Sequence, residues 1–178
     1  AGQQHTCSLR PNGTVRCWGA NDFGQLGDGT QTSSPTPVTV VGLSNVISLA
    51  AGDYHSCAVK SDNLAYCWGN NSAGQLGSGG TDPFYLTPQL VYSANDMVQI
   101  TAGAAHSCAL RTNGHVWCWG DGFSGQLGTG GTTGGYTPRS VSGLSGAASV
   151  SAGGAFTCAR LTGGGVSCWG DDTQGQLG

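Results

Sequence analysis

Glutamate is absent from this chain of 178 residues, and lysine and methionine occur once each. Charged side chains make up only 8% of it. So little Glu, Lys and Arg leaves few of the residues that favour helices, which argues against a bundle or coiled coil. No apolar run is long enough to cross a bilayer as a helix, so membrane insertion is not expected. The formal net charge is −3 and the basic residues do not cluster. The electrostatic footprint of a nucleic-acid binder or of an anionic membrane surface is therefore missing. General acid–base chemistry has no glutamate to draw on and no aspartate pair that recurs. No serine–histidine–acid order with a nucleophile signature appears either. The chain reads as non-catalytic, with no cofactor and no metal.

What is present is repetition. Cys7 to Gly27 reads CSLRPNGTVRCWGANDFGQLG, and counterparts begin at Cys57, Cys108 and Cys158, spaced by 50, 51 and 50 residues. Each copy holds two cysteines ten residues apart, the triplet Cys-Trp-Gly, then Gly-Gln-Leu-Gly. A fixed period of this length marks a repeat array, with units at about 1–50, 51–101, 102–151 and 152–178, the last one short. Glycine reaches 33 residues, mostly at fixed repeat positions, which favours turns and strands.

Eight cysteines in four equally spaced pairs point to an oxidising compartment, because disulfides do not persist in the cytosol. Zinc sites favour spacings of two to four residues with partners nearby, which these cysteines lack.

Within a unit, a first strand ends in Ala-Gly, as in residues 46–52, 98–103 and 150–153. A second, His5 to Leu9, puts His5, Cys7 and Leu9 on one face. If Cys7 faces Cys17, then Leu9 faces Val15 and three residues remain for the loop. Such loops commonly end on a residue with positive φ. That slot holds Gly13, Asn63, Gly114 and Gly164, the residue types suited to it. The third strand, Val15 to Trp18, places Cys17 and Trp18 on opposite faces, so the hairpin is apolar on both sides and needs a neighbour on each. A fourth strand is expected at residues 37–41, 88–92 and 138–141, with proline at its first position on an outer edge. Four short strands per 50 residues describe a propeller blade. The fold expected is all-β, a partial or open β-propeller of four-stranded antiparallel blades, with about three and a half to four of them.

The stretches AGQQHTCSLRPNGTVRCWGANDFGQLG and AGAAHSCALRTNGHVWCWGDGFSGQLG resemble the regulator of chromosome condensation repeat. The resemblance spans essentially the whole chain and implies a β-propeller, usually of seven blades. The paired cysteines resemble the variant of exported bacterial members, implying an extracellular, cell-surface or periplasmic protein. The last copy departs from the pattern, with Phe156 in place of histidine and Arg160 on a face expected to be apolar. The chain begins without the innermost strand of its first unit and ends without the outer strand of its last. It is expected to be a piece of a longer array, or to bury its open ends by association.

The pairs Cys7–Cys17, Cys57–Cys67, Cys108–Cys118 and Cys158–Cys168 are expected as cross-strand disulfides. His5, His55 and His106 recur at one position, which favours packing plus a hydrogen bond over metal binding. Trp117 breaks the repeat, since Arg16, Tyr66 and Ser167 stand at its equivalents. With Phe84, Tyr85 and Tyr136 in variable loops, it is the candidate contact for a protein or glycan partner. The function expected is a binding module. Head-to-tail assembly through open blade edges into a ring or filament is the alternative. Guanine nucleotide exchange, implied by the nuclear members, comes third.

Overall fold

The computed structural model describes residues 1–178 and contains fourteen strands and no helix. They are β1 (His5–Leu9), β2 (Val15–Gly19), β3 (Ser34–Thr39), β4 (Val46–Ala51), β5 (His55–Lys60), β6 (Ala65–Asn70) and β7 (Phe84–Leu90). There follow β8 (Met97–Ala102), β9 (His106–Arg111), β10 (Val116–Gly120), β11 (Gly135–Ser140), β12 (Ala147–Ala152), β13 (Phe156–Leu161) and β14 (Val166–Gly170). They form four antiparallel meanders: β1-β2-β3, β4-β5-β6-β7, β8-β9-β10-β11 and β12-β13-β14. The first sheet thus lacks an innermost strand and the last an outer one.

The central hairpins have the register that the turn residues and cysteine spacing require. Leu9 pairs with Val15 and Cys7 with Cys17, and the same offsets hold in the other three sheets. Arg10 N–H bonds the Thr14 carbonyl, and Gly13 N–H closes the turn onto the Arg10 carbonyl. Hydrogen-bonded and open pairs alternate along an antiparallel ladder, so Cys7 and Cys17 fall on a close, open pair. The φ values at the last loop position are 75° for Gly13, 65° for Asn63, 78° for Gly114 and 90° for Gly164.

The outer strands differ from expectation. They begin at Ser34, Phe84 and Gly135, three to four residues before the expected starts, and the prolines lie inside them. Cys17 pairs with Val38 but Gly19 with Ser34, so three residues including Pro37 oppose Trp18 alone. The same bulge sets Leu86, Thr87 and Pro88 against Trp68, and Tyr136, Thr137 and Pro138 against Trp119. A proline has no N–H for the ladder, and an edge strand that bulges away at that point loses nothing by it.

Packing between sheets follows from the two-faced hairpin. The cysteine face of each sheet receives the tryptophan face of the next. Val15, Cys17, Leu26 and Val40 of the first unit close around Ala58 and Trp68 of the second. Cys57, Cys67, Leu76 and Val91 do the same for Ala109 and Trp119. Gly27 and Gly77 must lack side chains here, because a Cβ would stand 2.7 Å and 2.6 Å from the indole nitrogens of Trp68 and Trp119. The final sheet's cysteine face is uncovered, which is why Val166 is 66% exposed while Val15 and Val116 are fully buried. Arg160 sits on that open face and reaches solvent, so the odd residue of the last copy costs nothing in burial.

Candidate functional site

All eight cysteines are paired as the register dictates, Cys7–Cys17, Cys57–Cys67, Cys108–Cys118 and Cys158–Cys168, each with Cα atoms 4.1 Å apart. No thiol is left free. The chemistry available to them is stapling, not catalysis.

Between consecutive sheets the same polar joint recurs three times. The Gln25 carbonyl accepts the Trp68 indole N–H at 2.9 Å and the Ser56 hydroxyl at 3.1 Å. Ser56 Oγ in turn lies 2.8 Å from His5 Nε2. A hydroxyl has one proton, and here the carbonyl takes it, so the imidazole Nε2 is the donor. Gln75, Trp119, Ser107 and His55 repeat the joint, as do Gln126, Trp169, Thr157 and His106. In each case Nδ1 keeps a bare lone pair, buried and without a partner. Burial is the main cause that pushes the three imidazoles far below their ordinary pKa, to about 4 for His5, about 3 for His55 and about 4 for His106. They are neutral at physiological pH, and no cluster of three or more His, Cys, Asp or Glu side chains is placed to hold a metal.

The two ends of the sheets differ in charge. In a meander, the loops β4–β5 and β6–β7 leave one end, and the β5–β6 hairpin and the link β7–β8 leave the other. Seven of the nine aspartates, Asp22, Asp28, Asp53, Asp82, Asp121, Asp171 and Asp172, lie in loops of the first kind. Arg10, Arg16, Lys60, Arg111 and Arg160 lie toward the other end, with Asp62 and Asp96 paired to Lys60 and Arg111 at 2.8 Å each, while the Arg139 guanidinium reaches the Thr133 carbonyl at the acidic end. The acidic end also carries aromatic rings. Phe123 is 84% exposed, and Phe23 meets Tyr54 edge-to-face at 5.5 Å between centroids.

The four candidate contacts do not come together. Phe84, Tyr85 and Tyr136 are half-buried at the starts of β7 and β11, on the outer rim at the acidic end. Tyr136 reaches across to the Ser72 carbonyl of the preceding unit at 3.4 Å. Trp117 is near the opposite end of β10, packed against the core between the second and third sheets. The Arg111 guanidinium covers its ring at 4.5 Å and is itself held by both Asp96 oxygens. Phe23, Tyr54 and Phe123 escaped the sequence reading, although a signal was there. Aligned on the repeat, Tyr54 stands where Gln4, Ala105 and Ala155 do, and Phe23 where Ala73, Ser124 and Gln174 do.

Comparison with known proteins places these features. The Regulator of chromosome condensation (RCC1) repeat family matches residues 12–59, 62–110 and 113–160. Among curated proteins, the probable E3 ubiquitin-protein ligase HERC4 of Rattus norvegicus is 47% identical over 131 residues, which is 72% of this chain and 12% of that protein. The E3 ubiquitin-protein ligase HERC2 of Homo sapiens is 36% identical over 131 residues, 70% of this chain and 3% of that one. Human WBSCR16 aligns over 100% of this chain and 48% of its own, with a TM-score of 0.89 and 26% identity. Prp20p of Saccharomyces cerevisiae, described with its binding to Gsp1p and histones, aligns over 100% and 45%, with a TM-score of 0.82 and 26% identity. The chain thus spans a small fraction of the curated relatives and about half of the solved propellers. With a family match over most of its length and stacked antiparallel sheets of three or four strands, the chain belongs to the Regulator of chromosome condensation (RCC1) repeat family of β-propellers.

Proposed function

We propose that the chain is a non-catalytic propeller module that binds a protein partner through its acidic, aromatic loop end. The observation behind this is the gathering of seven aspartates with Phe123, Phe23 and Tyr54 on one end, where Arg139 is the one basic side chain to reach. Repeating positions serve the joints between sheets, so the residues that break the repeat are free for recognition. Protein binding by a relative, Prp20p with Gsp1p and histones, supports the class of partner. Phe84, Tyr85 and Tyr136 extend the same surface at its rim, and Trp117 is set aside as packing. A glycan would need a concave, ring-lined groove, and these aromatics are spread over three units.

The four disulfides support passage through an oxidising compartment and hence an exported protein. The bacterial origin suggested by the paired cysteines has no support among the curated relatives named here, which are mammalian, and it is not carried further.

The test is capture of partners from extracellular fractions by the chain and by its Phe123→Ala and Phe23→Ala variants. Retention by the chain and loss with the variants would support the reading, and equal retention by all three would refute it. Head-to-tail assembly is the second reading. It rests on Trp18, which has no carbonyl of the kind that Trp68, Trp119 and Trp169 bond. A concentration-independent monomer in light scattering would end it.

A further inference from the structure

We propose that the three joints form an acid-sensitive latch, in which protons taken up by His5, His55 and His106 part consecutive blades. Each imidazole belongs to one sheet and donates to a hydroxyl of the next, and that hydroxyl hands its own proton back to a glutamine carbonyl. The latch therefore sits on the seam between two blades and not within one.

A second proton on any of these rings must go to Nδ1, which is buried and makes no hydrogen bond in the closed joint. His5 is 2% exposed, and His55 and His106 are fully buried. A charge placed there is desolvated and unpaired, the costliest condition for an ion in a protein interior. The row also repels itself, since His5 and His106 both act against a charge on His55. The other groups that bear on the row are few. The amino terminus of Ala1 opposes a charge on His5, the Asp53 backbone favours one, and Asp121 favours a charge on His106. No carboxylate bears on His55.

Opening a seam exposes the ring to water and restores its ordinary affinity for a proton, near pH 6.5. Between that value and about 4, the closed seam refuses a proton that the open seam takes, so acid drives opening. Phe156 occupies the same position in the fourth unit and carries no titratable group, so the latch covers three seams only. The module is closed at neutral pH and opens in mildly acidic surroundings, above the range in which free aspartates protonate.

The experiment is an acid titration of the whole chain, followed by tryptophan fluorescence and by hydrogen exchange read by mass spectrometry. Trp68, Trp119 and Trp169 stand on the seams and report on them directly. The expected result is a cooperative opening between pH 6 and 4, coupled to uptake of two to three protons. His106→Phe copies the chain's own Phe156 and leaves Thr157 bonded to Gln126. It should lower the coupling by about one proton and move the midpoint to more acidic pH. Replacing all three histidines with phenylalanine should push the transition below pH 4. If that variant does not fold, His106→Phe alone decides. An unmoved midpoint in His106→Phe would overturn the latch, as would imidazole resonances of the folded chain titrating near pH 6.5 at any of the three positions.

Discussion

Ala20→Asn should make the protein more stable, although it adds a polar side chain to a half-buried position. The reason is Gln25, whose Nε2 is buried and has no partner. Its Oε1 accepts the Phe23 N–H at 3.0 Å, so turning the amide over would only move the fault. The other units show what is missing. Gln75 Nε2 donates to Asn70 Oδ1 at 2.7 Å, and Gln126 Nε2 donates to Asp121 Oδ2 at 3.0 Å. Asp171 and Gln176 hold the same two positions in the fourth unit. Position 20 is the equivalent of these three, and its backbone is held alike. Ala20 N–H bonds the Gln4 carbonyl at 2.8 Å, and Asn70 N–H bonds the Tyr54 carbonyl at 2.9 Å. An unsatisfied buried donor costs about 1–3 kcal/mol. Ordering one asparagine side chain takes back a part of that, under about 1 kcal/mol. The net gain is about 1 kcal/mol, which raises Tm by roughly 2–4 °C for a chain of this size. Thermal and urea unfolding followed by tryptophan fluorescence would measure it. Ala20→Leu, with the same bulk and no acceptor, should give no gain. The reasoning fails if Asn and Leu at this position behave alike, or if Asn lowers the midpoint. The reciprocal change, Asn70→Ala, strips three bonds from one oxygen, those of Ser72 N, Ser72 Oγ and Gln75 Nε2. It should cost about 2–3 kcal/mol.

Other expectations follow from the same joints. Trp68→Phe removes a buried N–H bond and leaves a void, and should lower stability by roughly 2 kcal/mol in urea unfolding. Trp18→Phe, at the half-buried equivalent without an acceptor, should stay within about 0.5 kcal/mol. Replacing Cys57 and Cys67 with serine should cost about 3 kcal/mol from the loop of ten residues alone. Under native conditions, Cys158–Cys168 should be the first bridge to open to a reductant, since both its residues are half-exposed while Cys57–Cys67 and Cys108–Cys118 are sealed. Partial reduction, alkylation and mass mapping would give the order, and a sealed bridge opening first would contradict it. The pH dependence has a definite sign. The folded pKa values of His5, His55 and His106 are depressed below 6.5, so the unfolded chain binds more protons and stability falls as pH drops from about 6.5 toward 4. From pH 7 to 5, each of the three contributes a loss of about 2 kcal/mol. A flat stability profile over that range, by urea unfolding at fixed ionic strength, would show the sign to be wrong.

Local features were legible in the sequence, and long-range ones were not. The hairpin register could be read because two independent local signals coincide, the ten-residue cysteine spacing and the Gly or Asn slot of the turn, and both act within a dozen residues. Proline does not start the outer strands, as its place in the sequence suggests it should. Its real position is set by a bulge opposite Trp18, Trp68 and Trp119, and sequence periodicity of two cannot show three residues facing one. The joints were half legible. Recurrence of His5, His55 and His106 signalled packing with a hydrogen bond, but the partner is about fifty residues away, and no local pattern names Ser56, Ser107 or Thr157. The missing acceptor at Ala20 was visible only once the fold paired it with Gln25, since nothing in the spacing of Ala20 and Gln25 alone says that one should serve the other. The same holds for the charged ends. Aspartates that look scattered along the chain fall on one end because antiparallel meanders send alternate loops the same way, and a reader who assigns each loop to an end before the fold is known can recover that polarity. Phe123 follows from this rule: in the third unit it replaces Asp22, Ser72 and Thr173 of the others, in a loop that must face the acidic end. Departures from a repeat become informative once the repeat's own geometry says where they point.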